Sequence, residues 1–214
     1  MKKKNVWLVL ALVLSMLSML LAGCGKTEEE KIRELAGIWR MTAADTEDEA
    51  LYLLENIELY EEEIVHVDLT SLEYAQLVEF TKDKTYRFAY DVEGTRACVE
   101  AFYRGVFASL YENRASLNAV YEQTFDELTE AEFYQFYADL YEAGDYETLI
   151  EYVTELAYDY EVLEEPWETG TYEIQGDLIL CTVTGETQAE SLGYEIQGYE
   201  LTLTYVDGTE IYTR

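Results

Sequence analysis

A chain of 214 residues with a single histidine, His66, has little room for the commonest catalytic arrangements. A Ser-His-Asp triad, a Cys-His pair or a histidine-rich zinc site would each have to use that one imidazole. Its neighbours Val65 and Val67 give it instead the setting of an ordinary strand residue. No Gly-x-Ser-x-Gly, His-Glu-x-x-His or Gly-x-x-x-x-Gly-Lys motif occurs. Carboxylates are the abundant reactive type, 45 in all, and paired carboxylates can do general acid–base or glycosidase chemistry. In such numbers they become neighbours by chance, so no pair stands out. Their oxygens also suit calcium, but no run follows the EF-hand spacing. The sequence therefore assigns no catalytic residue, no cofactor and no metal ligand. A cell-envelope enzyme working through paired carboxylates stays open as an alternative.

The cysteines are more informative. Lys2, Lys3 and Lys4 precede an apolar run, Val6 to Ala22, broken only by Ser15 and Ser18. That run is 17 residues long, short of the roughly 20 needed to span a bilayer. It ends in Leu21-Ala22-Gly23-Cys24, which resembles the box where lipoprotein signal peptidase cuts after the cysteine sulfur has received a diacylglycerol. The resemblance implies that residues 1–23 are a removed leader and that Cys24 is the lipidated first residue of the mature protein. Residues 24–34 then form a polar tether on the outer face of the cell membrane. Two or more acyl chains anchor stably, at about 0.8 kcal/mol per buried methylene. Cys98 and Cys181 remain, enough for one disulfide in an exported protein or for two small buried hydrophobes.

Charge narrows the partners. Without the leader's three lysines, 11 basic residues face 45 acids, a formal charge of −34. Nucleic acid is excluded, because binding it requires cationic side chains against phosphates. An anionic lipid surface would repel the body of the protein, leaving the lipid as the membrane contact. Between Arg114 and Arg214 lie 24 carboxylates and no lysine or arginine. Those acids are solvated, paired with the first half of the chain, or neutralised by cations or a basic partner. The same interval offers trypsin-like proteases no cleavage site. Residues 96–165 hold ten of the 20 tyrosines together with 17 carboxylates. Tyrosines so placed either pack the helices or present an acidic, aromatic face to a basic protein, a peptide or a glycan.

The elements follow from periodicity. A strand is expected over Ala36 to Thr42, and a helix from Asp48 to Glu62 behind the capping box Thr46-x-x-Glu49. Tyr74 to Phe80 and Thr85 to Tyr90 read as paired strands around Thr81-Lys82-Asp83-Lys84. From Arg96 the period turns helical. Phe133, Phe136, Tyr137, Leu140 and Tyr141 form one stripe, which Gly144 can end. Leu149, Tyr152, Val153, Leu156 and Tyr160 form another, stopped at Pro166. Period two then returns. Tyr172-Glu173-Ile174-Gln175-Gly176 recurs unchanged at Tyr194 to Gly198, which predicts two similar hairpins side by side. Asp207-Gly208 marks a last hairpin turn.

The early Gly37-x-Trp39 strand, the Glu79-Phe80 pair and Gly170-x-Tyr172 ahead of a C-terminal meander resemble lipocalin-like (calycin-type) domains of Gram-positive surface lipoproteins. The chain departs from the pattern at Asp83-Lys84-Thr85-Tyr86, where Asp-Gly-Thr-Tyr is usual, and in its helical insertion. The resemblance implies an α+β fold: an antiparallel lipocalin-like barrel or curved sheet of about eight strands over 35–214, with a helical insertion at about 96–165. It also implies that Trp39 packs at the barrel base beneath an arginine, a role open to Arg214. The expected inward set is Trp39, Phe80, Phe88, Tyr172, Ile174, Leu178, Leu180, Leu201 and Leu203. Side chains of that bulk fill an eight-stranded lumen or leave space for one small ligand. The functions this allows are a membrane-anchored, non-enzymatic binding module and a carrier of a small apolar ligand.

Overall fold

Eight strands close into an antiparallel barrel in which every strand pairs with its neighbours in the chain and β8 returns to β1. They are β1 (Gly37–Ala44), β2 (Glu73–Phe80), β3 (Thr85–Tyr90), β4 (Glu168–Gln175), β5 (Leu178–Val183), β6 (Glu190–Gln197), β7 (Glu200–Thr204) and β8 (Thr209–Thr213). The computed structural model describes residues 26–121 and 124–214; the leader and Cys24 lie outside the described residues. The fold is α+β, a lipocalin-like barrel carrying helices on two of its connections.

The repeated pentapeptide builds the same hairpin twice. Gly176 and Gly198 take φ values of 64° and 65° at the first position of their turns, a conformation that costs other residues steric strain. Each turn therefore has only two residues, pairing Gln175 with Leu178 and Gln197 with Glu200. This register corrects the expected inward set. Tyr172 faces Cys181 and Ile174 faces Ile179, so Leu178 and Leu180 point outward. A turn one residue longer would have reversed that choice. Trp39, Phe80, Phe88, Tyr172, Leu201 and Leu203 do fill the lumen, together with Ile179, Leu192 and Tyr212.

One end of the barrel is plugged. The stretch expected as a tether folds from Glu28 as helix α1 (Glu28–Leu35), started by a complete capping box between Thr27 and Glu30. Ile32 and Leu35 enter the barrel core, and the Trp39 indole N–H donates to the Leu35 carbonyl at 2.8 Å. The Arg214 guanidinium lies 4.2 Å from the centre of the Trp39 ring and donates to the Glu34 carbonyl. The cation–π contact implied for the barrel base is present. Lys84 takes φ +61°, the value a glycine would supply at the end of the β2–β3 turn, and pairs with Glu28 of α1 at 2.7 Å.

Helices extend from the other end. They are α2 (Glu47–Asn56) and α3 (Glu61–Ile64) between β1 and β2, then α4 (Val92–Glu112), α5 (Asn118–Tyr121), α6 (Glu130–Leu140), α7 (Tyr146–Ala157) and α8 (Tyr160–Leu163) between β3 and β4. The two sets share one core, separate from the barrel core, so the helical body is wider than a single insertion. It is joined to the barrel where the Thr95 hydroxyl exchanges hydrogen bonds with both backbone groups of Ala75. The helix expected over Asp48–Glu62 stops early. Glu58 takes φ +58°, and the Leu59 and Glu58 N–H groups return to the carbonyls of Leu54 and Glu55, a Schellman closure made with glutamate. Helix α6 ends the same way at Glu142, φ +55°, two residues before the expected Gly144.

Candidate ligand cup at the open end of the barrel

His66 lies in a turn after α3 rather than in a strand, and its backbone carbonyl accepts a bond from the Ser109 hydroxyl. Cys98 on α4 and Cys181 in the barrel are both free thiols, one half-buried and one buried. Burial, reinforced by Glu168 and Glu190, pushes the Cys181 thiol up to about 12. Among the described residues no group of three or more histidine, cysteine or acidic side chains could hold a metal ion.

Nine of the ten tyrosines in residues 96–165 turn inward. Tyr103, Tyr137 and Tyr160 are buried, and Tyr111, Tyr121, Tyr134, Tyr141, Tyr146 and Tyr158 pack around the same core. Tyr152 and Leu156, expected on the packed stripe of α7, are instead exposed, while Ile150, Thr154 and Ala157 go under. Sequence reading missed Glu63, the one fully buried acid among the described residues. Its Oε1 accepts hydrogen bonds from the Tyr121 hydroxyl at 2.8 Å and from the Tyr137 hydroxyl, and its Oε2 accepts one from the Tyr60 N–H. Its place in Glu61-Glu62-Glu63 made it look like a solvated helix end. The signal was Tyr60 three residues earlier, a capping-box spacing without the usual serine or threonine.

The barrel mouth has a different character from the packed interior. A cup of about 290 Å³ is walled by Phe88, Trp167, Leu192, Tyr205 and Tyr212 and rimmed by Glu168, Glu190 and Glu210. Trp167 stacks on Phe88 at 22° between ring planes, meets Tyr90 edge-on, and remains 49% exposed. The acids reach the cup because alternation aims them inward. Glu168 pairs with Phe88, Glu190 with Cys181 and Glu210 with Leu203, all inward-facing partners. The Tyr86 hydroxyl donates to Glu168 and the Tyr212 hydroxyl to Glu210, each at 2.7 Å. Burial, with help from these carboxylates, raises both tyrosines well above the ordinary phenol range.

Larger surface clefts occur, but their basic side chains are already paired with acids. In a cleft of about 450 Å³ between α4 and α7, Arg104 bridges Glu100 and Glu147 while Arg96 pairs with Glu155. In a groove of about 430 Å³ at the plugged end, Lys26 pairs with Glu34, and Lys31 donates to the Gly176 carbonyl and lies near Asp177. No ion pair among the described residues uses Glu168, Glu190 or Glu210. Comparison with protein-family models, with curated proteins and with solved structures returned no match.

Proposed function

We propose that the protein is a non-enzymatic, ligand-binding surface lipoprotein, of the kind found on Gram-positive cells, held on the outer face of the cell membrane by a lipid on Cys24. The mouth cup carries this reading. It combines a concave aromatic wall with a few fixed polar groups, the usual composition of a small-molecule site. The alternative of an acidic tyrosine face on the helical body loses support, since every tyrosine of 96–165 but Tyr152 is buried or packed around a core. A carrier of an apolar ligand would need space below the cup, where Trp39, Phe80, Tyr172 and Leu201 already meet. The three glutamates of the cup keep an enzyme working through paired carboxylates as the alternative reading.

Two measurements test the proposal. Acyl labelling should mark the wild type, cut before Cys24 and in the membrane fraction, and should leave Cys24→Ala unlabelled with its leader uncut. Emission from Trp167, followed while a small-molecule library is titrated, should report ligands of the cup, and Trp167→Ala should lose them. Soluble, unlabelled wild-type protein would refute the anchor, and ligands indifferent to Trp167→Ala would refute the cup.

A further inference from the structure

Resting on the reading of the cup as the binding site, we infer that its ligand is a small organic cation: an ammonium group attached to an aromatic or branched apolar body. Three strands, β4, β6 and β8, each turn a glutamate inward at the mouth. Acids needed only for solubility would occupy the outward positions that alternate with these, where water is free. An apolar guest would gain nothing from three carboxylates and would cost them hydration. An anion would be repelled. The walls point the same way, because Phe88, Trp167, Tyr205 and Tyr212 are aromatic, and a ring face offered to a guest presents negative quadrupole.

Two of the three carboxylates are also held ready. Tyr86 and Tyr212 each bond one oxygen of Glu168 and Glu210, fixing the side chains and leaving the other oxygen able to accept an N–H. No arginine or lysine lines the cup to compete for them. A bare metal ion fits poorly, since the three acids are not gathered into a chelating group. A charge spread over an organic body, touching carboxylates at the rim and rings along the wall, uses all of these features. The space of about 290 Å³ limits that body to a small one.

The test is calorimetric titration of the mature protein with phenethylamine, tryptamine, their two corresponding alcohols and phenylacetate, at low salt. Each amine should bind at least about tenfold more tightly than its alcohol, and phenylacetate should not bind. In E190Q/E210Q the amines should fall to within about twofold of the alcohols, whose own affinities hold. Equal binding of amine and alcohol by the wild type, both lost in Trp167→Ala, would overturn the cation assignment and leave the cup standing. An amine preference that survives in E190Q/E210Q would also overturn it. Binding by none of the five compounds would remove the cup and the inference together. Should the double variant not fold, a salt series on the wild type decides. Amine affinity that is flat from 20 to about 300 mM salt refutes the charge contribution.

Discussion

At the scale of single residues, the most consequential side chain is one that its neighbours in the chain conceal. Glu63 is buried with three hydrogen-bond donors and no cation, so the phenols of Tyr121 and Tyr137 and the Tyr60 N–H depend on it. Glu63→Ala strands all three and should cost about 3 kcal/mol in urea unfolding; Tyr137→Phe should cost about 1. A loss below about 0.5 kcal/mol for Glu63→Ala would mean that the network contributes nothing. Tyrosine burial also sets the alkaline limit. Burial raises Tyr146, Tyr160 and Tyr172 to about 12, each from an ordinary value near 10. A folded value above the unfolded one gives stability that is complete below pH about 10 and is lost as pH rises toward about 12. Unfolding midpoints should therefore be flat up to pH 10 and drop above it, in step with phenolate absorbance. The Trp39–Arg214 contact was legible through the resemblance, Trp39 from Gly37-x-Trp39 in the first strand and Arg214 from its place just after the last. Glu63 was not, because an acid in an acidic run looks like every other solvated acid until tertiary contacts bury it.

At the scale of elements, the strands were legible and the helix ends were not. Period two, the repeated pentapeptide and the Asp-Gly turn located β4 to β8, yet the inward face of β5 depended on the turn length at Gly176. The helix ends failed for a specific reason. Glycine advertises a left-handed closing residue, and here glutamate occupies it at Glu58 and Glu142. Both glutamates also place negative charge at the negative end of a helix. Replacing either by glycine removes backbone strain and that repulsion, against a gain in unfolded-chain freedom. Glu58→Gly and Glu142→Gly should each stabilise by about 0.5–1 kcal/mol, and the pair should be additive. Destabilisation by either variant would show that its side chain has a role beyond the cap.

For the whole molecule, the sparse basic residues are concentrated where they do structural work. Arg96 and Arg104 belong to α4, Arg96 lies 4.1 Å over the Tyr160 ring and Arg104 joins Glu100 to Glu147. Arg114 lies 4.2 Å over the Tyr111 ring and donates to the Tyr111 carbonyl. Folded protein should therefore resist trypsin at all three, whereas unfolded protein should release one fragment, Ala115 to Arg214. Cleavage at Arg114 at equal rates in both states would contradict the packing. The division into two cores did not appear in the sequence, because α2 and α4 to α7 are drawn together only in space. The plug at the barrel base has a geometric consequence. Helix α1 begins four residues after Cys24 and is seated in the barrel, so there is almost no slack between a lipid and the body it would carry. On the proposed anchor, so short a leash would keep the barrel from tumbling freely: its stoppered floor would rest toward the bilayer, and its aromatic opening would look outward, toward whatever drifts past the cell.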